Sequence, residues 1–214
     1  PADAIASPAH VALAREAAEK SVVLLQNDGT LPLDNASLGR LLVVGSLAEF
    51  ENLGDHGSSR VYPPHVVTPL AGLRAGVPEN FEIVFDTGED LEATRQAAAG
   101  AHAVLVLAGY THADEGEYIP DIPAPGSGQA PGSMGGDRLD LTLGKTQEAL
   151  ILAACEANPR TVVAIMAGSA VVVEAWRDRV AAILLIWYPG MEGGHALADI
   201  VFGRINPSGR LPFS

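Results

Sequence analysis

The chain has 214 residues, with 13 lysines and arginines against 26 aspartates and glutamates, a formal net charge of −13, and 48% hydrophobic residues. That length suits one α/β domain with a substantial core, and the apolar share excludes a disordered chain, which needs low hydrophobicity and high charge. The acidic excess repels polyanions, so neither nucleic acid nor an anionic membrane surface is an expected partner, whereas a neutral ligand is compatible with it.

From the start, Pro1-Ala2-Asp3 lacks the basic and apolar regions of a signal peptide. Ser7-Pro8 is a helix start, a cap followed by proline in the first turn, and the alanine-rich run from His10 to Lys20 continues it. Val22-Val23-Leu24-Leu25 is apolar and ends at the turn signal Asn27-Asp28-Gly29. A regular pattern follows. Continuous apolar runs at 41–44, 83–85, 103–108, 162–167 and 181–187 alternate with predicted helices at 69–75, 91–101, 146–157, 170–177 and 192–202. Strands that are apolar throughout are covered on both faces. Their alternation with helices predicts an α/β fold, a three-layer αβα sandwich with a mostly parallel sheet, as a single domain over residues 1–214. No stretch approaches the roughly 20 uninterrupted apolar residues of a membrane-spanning helix. Cys155, the one cysteine, sits beside Leu152, Ala153 and Ala154 and reads as a buried, inert thiol; a lone cysteine makes no internal disulfide.

In such folds the loops leaving the carboxyl ends of the strands meet the ligand. Two are long. Residues 45–64 carry Glu49, Glu51, Asp55, His56, Ser58, Ser59 and Arg60; residues 109–143 carry Asp114, Glu115, Glu117, Asp121, Asp137 and Arg138. Loops beyond about 15 residues are uncommon in compact domains unless they are functional or disordered. Carboxylates at a groove rim suit acid–base work on a neutral substrate, and Asp114, Glu115 and Glu117 are candidate proton donors; the plain alternative is a solvated acidic loop. Asp137-Arg138 reads as an anchor of the loop to the sheet edge. Tyr188-Pro189-Gly190-Met191-Glu192-Gly193-Gly194 reads as a strand-to-helix connection with Glu192 set against the helix dipole. His56, His65, His112 and Asp55 show no recognised metal spacing, so no metal is expected, and His10, His102 and His195 read as incidental. Gly45-Ser46-Leu47-Ala48 after the first core strand is not a dinucleotide fingerprint, and no P-loop exists, so no cofactor is expected.

Several segments, taken in order, resemble glycoside hydrolase family 3. Ala14-Arg15-Glu16-Ala17-Ala18, Ser21-Val22-Val23-Leu24-Leu25-Gln26-Asn27 and Leu31-Pro32-Leu33 resemble the entry to the family's second domain. Leu42-Val43-Val44-Gly45-Ser46, Gly57-Ser58-Ser59, and Gly136-Asp137-Arg138 with Leu139, Leu141, Leu143 and Gln147 continue the resemblance. It is strongest at Tyr188-Pro189-Gly190, Gly193-Gly194, Ala196-Leu197-Ala198-Asp199, Phe202-Gly203 and Asn206-Pro207-Ser208-Gly209-Arg210-Leu211-Pro212.

The resemblance implies a retaining β-glycosidase, β-glucosidase-like, whose site is shared between two domains. A (β/α)₈ barrel, absent from these residues, would supply the nucleophilic aspartate, and this domain would cap the sugar site and supply the acid/base glutamate. Within Glu115-Gly116-Glu117-Tyr118-Ile119 the expected acid/base is Glu115, with Glu117 as the alternative. Asp55, His56 and Arg60 are expected at the substrate, though Arg60 reads equally well as a loop tether. The expected partners are the barrel and a β-linked sugar, and the chain alone is expected to be inactive. The competing readings are a sugar-binding or architectural capping module, and a flavodoxin-like small-ligand domain.

Overall fold

A computed structural model describes residues 4–34, 39–54, 56–117, 136 and 138–213. Helix α1 (Pro8–Ser21) begins where the sequence places it, with the Ser7 side chain accepting from the His10 N–H and proline in the first turn. The strands are β1 (Val23–Asn27), β2 (Arg40–Val44), β3 (Glu82–Asp86), β4 (Ala103–Gly109), β5 (Thr161–Met166) and β6 (Ala182–Leu185). They form a six-stranded sheet in the order β1-β6-β5-β4-β2-β3. Among the described residues only the β1–β6 pair is antiparallel.

Alternate residues of the apolar strands enter two separate cores. Leu41, Val43, Leu105 and Leu107 pack with Leu70 and Leu73 of α2 (Pro69–Ala75) and with Leu197 and Ile200 of α6 (Gly193–Val201). Leu42, Val44, Val104 and Val106 pack with Ala98 of α3 (Leu91–Ala99) and with Ile151 and Ala154 of α5 (Lys145–Ala157). Strands covered on both faces need no polar alternation, and each fully buried Leu or Val contributes about 1.5–3 kcal/mol of transfer free energy. The three-layer sandwich follows from that burial.

The strand order also locates a candidate ligand crevice. From β2 the chain moves to one edge, at β3; from β4 it moves the other way, to β5 and β6. Neighbouring strands β2 and β4 therefore form the topological switch point, where loops diverge and leave a groove. The two long acidic loops are the ones that leave these two strands.

A glycine ends each of them. Gly45 has φ +110° and Gly109 φ +141°, and an added Cβ would stand 2.2 Å from the Leu107 carbonyl oxygen or 1.9 Å from that of Met166. Both positions need glycine for its φ and for the close backbone approach.

Residues 170–177 depart from the predicted helix. Thr142 and Val172 form a parallel bridge, the Val172 N–H donates to the Leu141 carbonyl at 2.8 Å, and a short 3₁₀ turn follows at Arg177–Arg179. Val171-Val172-Val173 are β-branched and favour extended backbone, and the fully buried Trp176 pins the segment to the core. Tertiary pairing wins over a weak helical pattern.

Candidate active site

Helix α4 (His112–Glu115) is a single turn at the exit of β4, fixed by a capping box between Thr111 and Asp114. Asp114 accepts from the Thr111 N–H at 2.8 Å and so serves the cap. The turn ends in Glu115. Gly116, buried and extended at ψ 159°, then leads the chain to the exposed Glu117.

Both oxygens of Glu115 are engaged. Oε1 accepts from the Gly168 N–H and the Tyr188 hydroxyl, each at 2.5 Å, while Oε2 pairs with Arg138 Nε at 2.9 Å. The Glu115 and Arg138 side chains are only 10% and 6% exposed. The donors come from the far end of the β4 loop, the β5 exit and the β6 exit. Burial, then the bond to Glu115, pushes the Tyr188 phenol far above its ordinary range, which keeps it a hydrogen donor.

Arg138 is held as tightly. One guanidinium nitrogen donates to the Ser169 hydroxyl and to the Ala170 carbonyl, and the guanidinium carbon lies 4.0 Å from the centre of the Tyr110 ring. Its second terminal nitrogen, Nη1, is buried with no hydrogen-bond partner among the described residues. The anchoring role expected for Arg138 is present, but it includes an ion pair to Glu115 that local sequence does not show. Asp137 lies outside the described residues, as does Asp121.

Glu115, Arg138, Gly168, Ser169 and Tyr188 line one side of an open cleft, and Leu53, Gly54 and Ser59 from the β2 loop line the other. Glu117 lies across this rim, accepting from the Ser58 N–H. A side chain at Gly57 would collide with it, since an added Cβ would lie 2.2 Å from Glu117 Oε2. The two loops are also tied at their bases, where the Asn52 amide donates to the Tyr110 carbonyl at 2.7 Å.

The expected substrate contacts separate. Asp55 lies outside the described residues. His56 stands beside the cleft-lining segment at φ +58°, its ring stacked on His112 at 3.8 Å between centroids. Arg60 does not line the cleft: its guanidinium lies 4.8 Å from the Tyr62 ring centre, because an exposed arginine gains more from an aromatic face than from open solvent. Glu192 stands at the N-cap position of α6, the helix end where the dipole favours a negative charge. It makes no side-chain cap bond to α6 and is buried between His65 Nε2 at 2.8 Å and His195 Nδ1 at 2.7 Å. Among the described residues no group of three His, Cys, Asp or Glu is arranged to hold a metal ion.

Residues 22–214 match the glycosyl hydrolase family 3 C-terminal domain. The chain belongs to this family. It is 31% identical over 222 residues to a beta-xylosidase of Formosa agariphila, covering 96% of this chain and 28% of that protein. It is 32% identical over 226 residues to a probable beta-glucosidase A of Aspergillus clavatus, covering 96% of this chain and 24% of that protein. Among solved structures, the family 3 beta-glucosidase of Bifidobacterium adolescentis superimposes with a TM-score of 0.73 at 30% identity, over 93% of this chain and 28% of that one. A beta-glucosidase of Erythrobacter marinus gives 0.80 at 28% identity, over 94% and 29%. The chain thus spans about a quarter of the length of each of these four relatives. Tyr188, Gly168 and Ser169 were not among the expected site residues. Tyr188 stood in the family-like Tyr-Pro-Gly segment, which was the one available signal for it.

Proposed function

We propose that this chain is the second domain of a retaining β-glycosidase of the β-glucosidase or β-xylosidase kind. In this reading it caps a sugar site completed by a (β/α)₈ barrel and supplies the acid/base carboxyl from the loop after β4. The barrel contributes the nucleophilic aspartate. As that aspartate bonds to the anomeric carbon and the glycosidic C–O bond breaks, the glutamic acid here gives its proton to the leaving oxygen. It then takes a proton from the water that releases the sugar.

The observation that carries this reading is the unequal placement of the two glutamates at the switch-point crevice. A general acid must hold a proton, reach the glycosidic oxygen and exchange with water. Protonating Glu115 would give up its ion pair with buried Arg138 and leave the Tyr188 hydroxyl as the one partner able to accept the new O–H, since the Arg138 and Gly168 N–H groups only donate. Glu117 is exposed on the rim. The geometry therefore favours Glu117 over Glu115 as the acid/base. His56 remains the proposed sugar contact of the β2 loop.

The test uses the full-length enzyme that contains this chain. Glu117→Ala should slow poor leaving groups far more than activated ones, with azide restoring turnover on the latter. If Glu115→Ala shows that pattern and Glu117→Ala does not, the assignment is reversed. Isolated, the chain should be silent toward p-nitrophenyl β-glucoside and β-xyloside and should gain activity on mixing with the barrel. Robust activity alone would mean that both carboxylates lie within these residues. Lost affinity with turnover intact would favour a capping module.

A further inference from the structure

Glu115 and Arg138 stand at the two ends of the long loop after β4, and their ion pair closes its neck. Each end is also fixed to the neighbouring strand exits: Glu115 to Gly168 and Tyr188, Arg138 to Ser169 and Ala170. The chain cannot slide at this point without breaking several buried, charge-assisted bonds at once. Beyond the clasp only Gly116 separates Glu115 from Glu117, and Gly116 is itself buried, its N–H bonded to the His112 carbonyl at 3.0 Å. A carboxylate held in this way is fixed in place, and the residues that follow it start from a fixed point.

We propose that the Glu115–Arg138 clasp, completed by Tyr188 and the Gly168 N–H, positions Glu117 for proton transfer. Glu115 is a positioning residue, and its ion pair decides how the general acid is presented to the cleft. The proposal rests on Glu117 being the acid/base. Removing the clasp leaves the acid in place chemically but lets its position spread, and misplacement by about 1 Å can cost up to about 100-fold in rate.

The test compares Glu115→Gln, Arg138→Gln, the double variant and Glu117→Ala in the full-length enzyme. The Glu115→Gln and Arg138→Gln variants should each lower kcat by about 10- to 100-fold with KM little changed, and azide should not restore it. The double variant should lose about as much as either single one, because both break one unit. The basic limb of the kcat/KM profile, which reports the acid, should survive in Glu115→Gln and vanish in Glu117→Ala.

Wild-type kcat in Glu115→Gln would overturn the clasp while leaving Glu117 as the acid. Azide rescue and leaving-group dependence in Glu115→Gln, but not in Glu117→Ala, would overturn the Glu117 reading as well. Should Glu115→Gln fail to fold, Tyr188→Phe decides. It removes one hydroxyl and keeps the ion pair, so kcat should fall several-fold at constant KM, and an unchanged kcat would overturn the proposal.

Discussion

Gln147 grips Gly109 from both sides: its Oε1 accepts from the Gly109 N–H at 2.6 Å, and its Nε2 donates to the Gly109 carbonyl at 2.8 Å. A side-chain amide thus does at the end of β4 what a neighbouring strand does along its length. Gln147→Ala would leave a buried donor and acceptor unpaired at the point where the long acidic loop departs. The expected loss is about 2 kcal/mol or more, read as a lower urea midpoint at unchanged slope. Gln147→Glu should cost as much, since it keeps the acceptor but sets a carboxylate oxygen against the Gly109 carbonyl.

Gly109 itself is the second test of how the loop leaves the sheet. Its φ of +141° strains any L side chain, and the added Cβ would meet the Met166 carbonyl at 1.9 Å. That neighbour is backbone rather than a flexible side-chain tip. Gly109→Ala should therefore lower stability by about 3 kcal/mol or more. A near-normal thermal midpoint would show that β4 and β5 separate more easily at this end than their packing implies.

Glu192, buried between His65 and His195, predicts a pH dependence of stability. Burial alone would push its carboxyl up, but the hydrogen bonds from His195 and His65 outweigh that and hold it below the ordinary glutamate range. A group whose folded pKa is lowered stabilises above its unfolded value and loses that contribution as pH falls through the folded one. The loss should begin below about pH 4.3, the unfolded glutamate value. Glu192→Gln should cost about 1–3 kcal/mol at pH 7 and flatten the thermal midpoint against pH in that acid range. An acid limb identical to wild type would place the sensitivity elsewhere.

His56, stacked on His112 beside the cleft, carries the remaining proposed sugar contact. In the full-length enzyme His56→Ala should raise KM several-fold with kcat little changed, the pattern of an interaction shared by ground and transition states. A fall in kcat at constant KM would instead make the histidine stack part of the positioning apparatus.

These cases show which parts of the molecule are local in origin. The run 41–44 is apolar at every position, too short for a helix and closed by Gly45-Ser46, which suits a strand buried on both faces, so β2 and the layers around it could be read directly. Residues 170–177 could not, because Ala170, Glu174, Ala175 and Arg177 suit a helix while the three valines between them do not, and the bridge from Val172 to Thr142 that decides the matter is a long-range contact. The site divides in the same way. Loop length and acidity point to the Glu115–Glu117 segment, but the three groups around Glu115 come from the far end of its own loop and from two other strand exits, and no spacing in the chain encodes their meeting. That is why the two glutamates looked equivalent in sequence and differ in structure.

Asp199 gives the last test. It is buried on α6, with Arg204 Nε on one oxygen at 2.5 Å and Arg15 Nε on the other at 2.8 Å, so it joins α1 to the chain leaving α6. Burial would raise its carboxyl, but bonds from Arg204 and Arg15 win and lower it. Removing one partner of a buried pair can cost about 3–5 kcal/mol, but the two arginines here are 39% and 44% exposed, and water will take up much of their charge. Asp199→Asn should therefore cost about 2 kcal/mol. Arg15→Ala should cost less, because Arg204 stays on the carboxylate. If Arg15→Ala proves the more damaging change, α1 is held to the domain chiefly through this one contact, and its release should show as early proteolysis near Lys20.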